Sequence, residues 1–421
     1  MKIKNVEQVA QWRMCLGCGA CAYGCNEKKI KLIDVISDGI RPVIQTNDCG
    51  TCEDCLKFCP GYEISHHDFN EIPEAIEELK QGWGPVLELW EGYAADPEIR
   101  YKGSSGGLAS ALALYCIENE NMYGVVHTGA KKNEPWKNET VLSRTRDELL
   151  SRTGSRYSPA SPCDGLEKIE KAPSECVFIG KPCDISGVRK AQEQRPALDD
   201  KMGLAIGIFC AGTPSSLGTL ELLKKYNLES SGISEVRYRG NGWPGHFAVK
   251  TNPPKAANLK ITYLEAWGFL QKYRPLRCYL CPDGTSEFAD ISCGDPWYRE
   301  IKEGEAGQSL VLVRTEKGKK ILYGAMNAGY VVLKRTGPAV LTRSQENLLD
   351  KRRTIWGRLL ARRLFLLPSP TLKGFSLFDN WRQLTLKDKV RSVAGTIRRI
   401  IKRKHLIPYK YLSQAGVRST K

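Results

Sequence analysis

Eight of the chain's sixteen cysteines fall into two matching runs, Cys15-x2-Cys18-x2-Cys21-x3-Cys25 and Cys49-x2-Cys52-x2-Cys55-x3-Cys59, and Pro60 follows the second. In runs of this spacing a short loop of three thiolates wraps three irons of a cubane. The fourth cysteine of each run crosses to cap the other cluster. The spacing therefore predicts one [4Fe-4S] cluster on Cys15, Cys18, Cys21 and Cys59, and a second on Cys49, Cys52, Cys55 and Cys25. A chain built this way handles electrons one at a time.

Two other readings of the cysteines compete. A disulfide framework suits short secreted chains, whereas this one has 421 residues and opens on MKIKNVEQVAQWRM, without an apolar signal core. Zinc also takes CxxC pairs, but as two separated pairs rather than a doubled run of four. The N-terminal stretch resembles the two-cluster bacterial ferredoxin module. It departs at Asn26, which follows Cys25 where that pattern has proline; this touches the local turn and leaves the ligand set whole.

The length predicts two to four domains with a sizeable core. No run of eighteen apolar residues is present, so no membrane span is expected, and the many reduced thiols point to the cytoplasm. The net charge of +16 is uneven. Residues 351–421 hold 19 Lys and Arg against Asp379 and Asp388 alone, while the other 350 residues set 44 basic against 45 acidic groups. The surplus belongs to the tail.

Residues 1–70 form the cysteine module, with KLIDVISDGIRPVIQ as a hairpin around Asp38 and Gly39. EIPEAIEELKQGWGP reads as a short helix and a Gly/Pro break. Beyond it strands alternate with helices: LELWEGYAA, YGVVHTGA, CVFIG and GLAIGIFC as strands, GGLASALALYCIEN, RTRDELLSRT and SSLGTLELLKKYN as helices. The alternation predicts an α/β body, and the whole chain is α/β (α+β).

Lys102, Ser104, Ser105, Gly106 and Gly107 stand directly before a helix, a pattern that suits a phosphate as well as a plain cap and turn. Gly240 to Gly245 matches GxGxxG literally, but Pro244 and the strand-like HFAVK make it a hairpin rather than a dinucleotide loop. Cys183, Cys210, Cys278 and Cys281 combine two strand-end thiols with a CxxC, a reasonable third [4Fe-4S] site. Cys116, Cys163 and Cys176 fit buried free thiols, and Cys293 fits either reading.

The phrases KGSSGGLASALALY, TGSRYSPAS, FIGKPCDISGVRK, IGIFCAGTPSS, YRGNGWPG and RCYLCPDGTSEFADISCGDPW together resemble the coenzyme F-420 hydrogenase/dehydrogenase beta-subunit family, which includes 7-hydroxymethyl chlorophyll a reductase. The likeness spans roughly residues 1–340. It implies FAD, and a flavin-phosphate contact at the loop Ser104–Gly107. It implies a third cluster at the family's KPC, FC and CxxC positions. It further implies a flavin-binding part over 83–165 and a cluster-bearing part over 170–340; the basic tail over 351–421, read from its charge, lies beyond the likeness. Electrons would pass from ferredoxin or another one-electron donor through the clusters and FAD to a hydride-accepting deazaflavin coenzyme or an organic substrate. A connecting subunit of a larger complex, or reductive tailoring in surface-polysaccharide assembly, is the alternative. His127, His246 and Asp295 are proton-transfer candidates by residue type only.

In TLKDKVRSVAGTIRRIIKRK, Leu386, Val390, Val393, Ile397 and Ile400 recur at helical spacing and predict one apolar stripe amid basic residues. Such a helix suits the anionic inner face of a membrane, or docking on the body or on an acidic partner. Nucleic acid is disfavoured because no recognition motif accompanies the charge.

Overall fold

The computed structural model describes residues 2–45, 49, 52–66, 73–252, 258–302 and 304–411; the last ten residues of the expected tail lie outside them. An eight-stranded sheet forms the body: β1 (Glu88–Ala94), β2 (Val125–Lys131), β3 (Glu134–Ser143), β4 (Cys176–Gly180), β5 (Met202–Ile208), β6 (Ile291–Gly294), β7 (Ser309–Val313) and β8 (Val331–Arg335). The order across it is β8-β1-β7-β6-β5-β4-β2-β3. β2, β4, β5 and β6 run parallel, with Phe178 opposite Ala205 and Ile206 opposite Ile291. The outer strands pair antiparallel.

β4 and β5 are continuous apolar runs because both faces of the sheet are covered. Val177, Leu204 and Ile206 pack with the helix Leu108–Glu118, while Phe178 and Ala205 pack with the helix Pro182–Gln192. Full burial of each of Phe178, Leu204 and Ile206 contributes roughly 1.5–3 kcal/mol. A second, three-stranded sheet joins Ile233–Arg237, His246–Thr251 and Asn258–Thr262. Gly240, Gly242 and Gly245 sit at its turn with φ of +107°, +98° and +81°, so the GxGxxG stretch is turn chemistry. The N-terminal hairpin pairs Ile30–Val35 with Gly39–Ile44.

The tail is not a free arm. Helices Glu346–Arg353, Ile355–Leu364 and Leu386–Lys402 pack on the body and on the cysteine module. Strand Thr371–Lys373 pairs in parallel with Glu63–Ser65. Tyr409 N–H donates to the Gln11 carbonyl at 2.8 Å, Arg13 to the Ile407 carbonyl at 3.0 Å, and the Tyr411 hydroxyl to the Pro42 carbonyl. Part of the basic surplus is interior: Arg352 pairs with Glu287, and Arg362 donates to the carbonyls of Trp12 and Pro368.

The last helix turns its apolar stripe only partly inward. Its buried residues are Ser392, Thr396 and Ile400, while Leu386 and Val390 are 79% and 58% exposed. The reason is a close helix approach at Gly357, where an added Cβ would strike Ser392 Oγ. Small residues occupy the contact, and much of the apolar stripe faces outward. Among the described residues no helix is long and apolar enough to cross a membrane.

Candidate functional site

Gly17 and Gly19, at φ of +72° and +92°, fold the first cysteine loop onto the short helix Ala20–Gly24. The eight thiols lie near one another. Cys59 lies within electrostatic reach of Cys15 and Cys18, and Cys21 within reach of all three and of Cys55. Cys55 has Cys52, Cys49 and Cys25 around it. Cys15, Cys18, Cys21 and Cys59 are buried, whereas Cys25, Cys49 and Cys55 are half-buried and Cys52 is exposed.

Burial pushes the Cys55 thiol up to about 11, and Cys21 and Cys59 well up. Crowded, desolvated thiols of this kind become thiolates only against added positive charge, which the irons of a cluster provide. The donor sets therefore fit the clusters expected of them. Among the described residues no group of three or more His, Cys, Asp or Glu is placed to hold a single metal ion.

A third quartet lines one cavity: Cys183 at the start of the helix Pro182–Gln192, Cys210 just past β5, and Cys278 and Cys281 around the short helix Leu276–Tyr279. Cys15 of the inner set lines the same cavity. Two buried arginines stand between the sets. Arg41 feels both Cys15 and Cys278, and it bonds Asp38 through Nε at 2.8 Å. Arg277 donates to the Met14 and Leu280 carbonyls at 3.0 and 2.7 Å and lies near Cys281, Cys183, Cys278 and Cys59. Its Nη2 is buried without a hydrogen-bond partner, as suits a donor aimed at thiolate sulfur. Lys181 bonds Asp184 at 2.7 Å beside Cys183 and Cys210, and Lys351 lies near Cys210 and Cys281.

Cys210 also lines a large groove at the carboxyl ends of β2, β4, β5 and β6, where open α/β sheets take their ligands. One end of the groove is the loop Gly103–Ser105 with Gly107 and the first turn of the helix Leu108–Glu118. Ser104 Oγ accepts from Ser155 N–H, and Ser105 Oγ donates to the Gln308 carbonyl. The adjacent wall is aromatic: Tyr157, Tyr263, Trp267 and Trp297, with Tyr263 and Trp297 stacked at 5.7 Å and 4°. Arg239 lies over both stacked rings and holds Asp295 through two hydrogen bonds. Flat rings of this size suit a planar heterocycle, and the uncapped amides at the helix start suit its phosphates. The groove fits a flavin.

Several residues read from the sequence stand elsewhere or are already engaged. Lys102 pairs with Glu98 at 2.8 Å, and neither it nor Gly106 lines the groove. Asp295 is tied to Arg239. His127 does line the groove, but it bonds the Ser143 hydroxyl at 2.9 Å and burial pushes it down to about 4, so it is neutral at pH 7. His246 lies on the smaller sheet opposite Thr262. Cys116, Cys163 and Cys176 are buried as expected, and Cys293 lies in the apolar core within β6. Cys163 does more than fill space: its thiol lies against Cys18, and its N–H donates to the Cys18 carbonyl at 3.0 Å. Sequence reasoning missed Arg41, Arg277, Lys181 and the aromatic wall. The basic residue next to each body cysteine, in KPC and RCYLC, was the available signal for Lys181 and Arg277.

Residues 89–166 match the family described as Coenzyme F420 hydrogenase/dehydrogenase, beta subunit N-term, and residues 174–338 match the companion family that describes the carboxyl-terminal part of the same subunit. The chain is 24% identical over 314 residues to the coenzyme F420-dependent sulfite reductase of Methanocaldococcus jannaschii, covering 67% of this chain and 46% of that protein. It thus spans about half of that relative's length. It is 27% identical over 254 residues to the coenzyme F420 hydrogenase subunit beta of Methanosarcina barkeri, covering 58% of this chain and 81% of that one. Among solved structures, a chain of the F420-reducing [NiFe] hydrogenase complex from Methanosarcina barkeri shares the fold, with a TM-score of 0.53, 22% identity, and coverage of 68% and 95%. The chain is an oxidoreductase and belongs to the coenzyme F420 hydrogenase/dehydrogenase beta-subunit family.

Proposed function

We propose that the chain is an iron–sulfur flavoprotein that moves electrons from a ferredoxin-like donor to a hydride-accepting substrate. The deazaflavin coenzyme named for its relatives, or an organic molecule of similar reactivity, is that substrate. One observation carries the reading: three thiol quartets run from an exposed cysteine, Cys52, to Cys210, which borders both the innermost cavity and the groove. When bound, the clusters supply one-electron steps and FAD converts them to hydride chemistry. The chain's own residues do the rest. Cys52 and its neighbours present the donor side, while Arg41, Arg277, Lys181 and Lys351 place positive charge around the inner thiolates. The stacked pair Tyr263 and Trp297 keeps one face of the groove flat and dry for ring stacking.

Anaerobic reconstitution followed by metal and flavin analysis tests this. The reading requires about twelve irons, for three cubanes, and one FAD per chain. Iron near four atoms, or no flavin after loading, overturns it. Turnover by the isolated chain with reduced ferredoxin separates a self-sufficient reductase from a connecting subunit.

The docked tail supports a peripheral place on an anionic membrane. Leu364, Leu366, Leu386, Val390 and Ile401 are exposed among basic neighbours. Liposome flotation should carry the protein, and Leu386→Ser with Val390→Ser should abolish it; equal flotation of the two proteins ends the idea.

A further inference from the structure

The residues past 338 lie outside the matched family region, yet they build the far end of the groove. The helix Leu386–Lys402 lies along Ile355–Leu364 and brings Arg391 and Arg399 into the lining, where Arg358, Lys351 and Arg274 join them. Three of these crowd a single ring. The guanidinium carbons of Arg274, Arg358 and Arg399 stand 5.1, 6.0 and 4.9 Å from the centroid of Tyr279.

Among the described residues none of these five cations is in an ion pair. The two carboxylates of this end are engaged elsewhere: Asp350 pairs with Arg353 at 3.4 Å, and Asp388 accepts from the Thr385 hydroxyl at 2.7 Å. Among the described residues Arg358 has only the Tyr279 carbonyl as acceptor, and Arg274 has the carbonyls of Ala211 and Gln271 and the Gln271 side-chain oxygen. Burial, with repulsion from Arg399 and Arg274, pushes Arg358 down to about 10. The cysteine thiolates account for Lys351 but not for the four arginines. Lys351 and Lys181 face Cys210, whereas the groups around Arg358 are two arginines and a tyrosine.

Like charges held together in excess of their counter-charge, here the single unpaired carboxylate Asp388, cost stability unless something anionic returns it. Guanidinium forks match phosphoryl oxygens two at a time. We infer that this tail-built end of the groove is an anion subsite, and that the molecule oxidised or reduced at the aromatic wall carries a phosphate or diphosphate group held there. The inference rests on the groove being the substrate site, as proposed above.

Calorimetric titration with inorganic pyrophosphate tests it on the full chain, both as purified and after cluster and flavin loading. The wild-type protein and Arg398→Gln, an exposed control on the same helix, should bind. Arg358→Gln with Arg399→Gln should weaken binding at least about tenfold, a loss of ~1.4 kcal/mol. If that pair does not fold, the exposed Arg391→Gln alone should weaken binding by roughly threefold. No binding by the wild type, or equal affinity in the variants, overturns the inference. So does binding that disappears on flavin loading, since the cations would then serve the flavin's own phosphates. Pyrophosphate binding by protein that takes up neither iron nor flavin would sink the redox reading and leave the subsite standing.

Discussion

The two N-terminal thiol quartets share one spacing but occupy opposite surroundings. Cys15, Cys21 and Cys59 are sealed beneath Tyr411, Leu367 and Ile400, Cys18 is buried with Phe58 and Cys163, and Cys59 lies near the buried Arg277. Cys25, Cys49 and Cys55 are half-buried and Cys52 is exposed, near the surface pair of Lys2 and Glu53. Identical ligand patterns therefore do not mean identical tasks. On the proposed reading, exposure suits docking of a donor, while a buried, arginine-lined site suits a cluster that only hands electrons on.

The sharpest way to break this contrast is Arg277→Met. It strands the Met14 and Leu280 carbonyls, at ~1–3 kcal/mol each, so denaturant unfolding of loaded protein should show a loss of about 3 kcal/mol. Lys2→Met, at the outer quartet, should leave the unfolding midpoint where it is.

Acid comes next. His127, at about 4 against an ordinary 6.5, is neutral in the fold and charged when unfolded. Its contribution is complete above pH 6.5 and is lost as pH falls from 6.5 towards 4, up to about 3 kcal/mol. His405, pushed to about 4 by burial and then by Arg13 and Arg362, adds to the same trend beside the inner quartet. Melting temperature should fall steadily between pH 7 and 5, and His127→Gln should flatten the profile.

In cluster-free protein, Cys52 should alkylate on the order of 100-fold faster than Cys21, whose thiol is buried and pushed well up. Equal rates, read by mass spectrometry of labelled peptides, would erase the distinction.

The smallest effect is expected from Cys163→Ala. Its thiol lies against Cys18 but donates to the Asp184 carbonyl at 3.2 Å, so its removal should move the potential of a cluster held by the inner quartet by less than about 40 mV, the one-electron equivalent of a ~1 kcal/mol hydrogen bond. The outer cluster should not move.

The cysteine grouping was legible because ligand spacing is local. So were the strands β4 and β5 and the helix Leu108–Glu118, whose apolar patterns leave few alternatives. The groove was legible only at the loop Gly103–Gly107. Its aromatic wall draws Tyr157, Tyr263, Trp267 and Trp297 from separate segments, and no periodicity links them. The tail misled for a physical reason. Its helix buries Ser392 and Thr396 because Gly357 permits close approach, so only Ile400 of the stripe is fully buried and Leu386 and Val390 face outward.

The seal over the inner quartet has a consequence for how the protein is made. Tyr411 reaches Pro42 and lies near Cys15 and Cys21, so the cover is synthesised nearly four hundred residues after the cysteines. At ribosomal rates of ~5–20 residues per second that gap lasts on the order of tens of seconds. On the proposed reading, the inner thiols of the nascent chain stay open to cluster loading until the tail arrives to cover them.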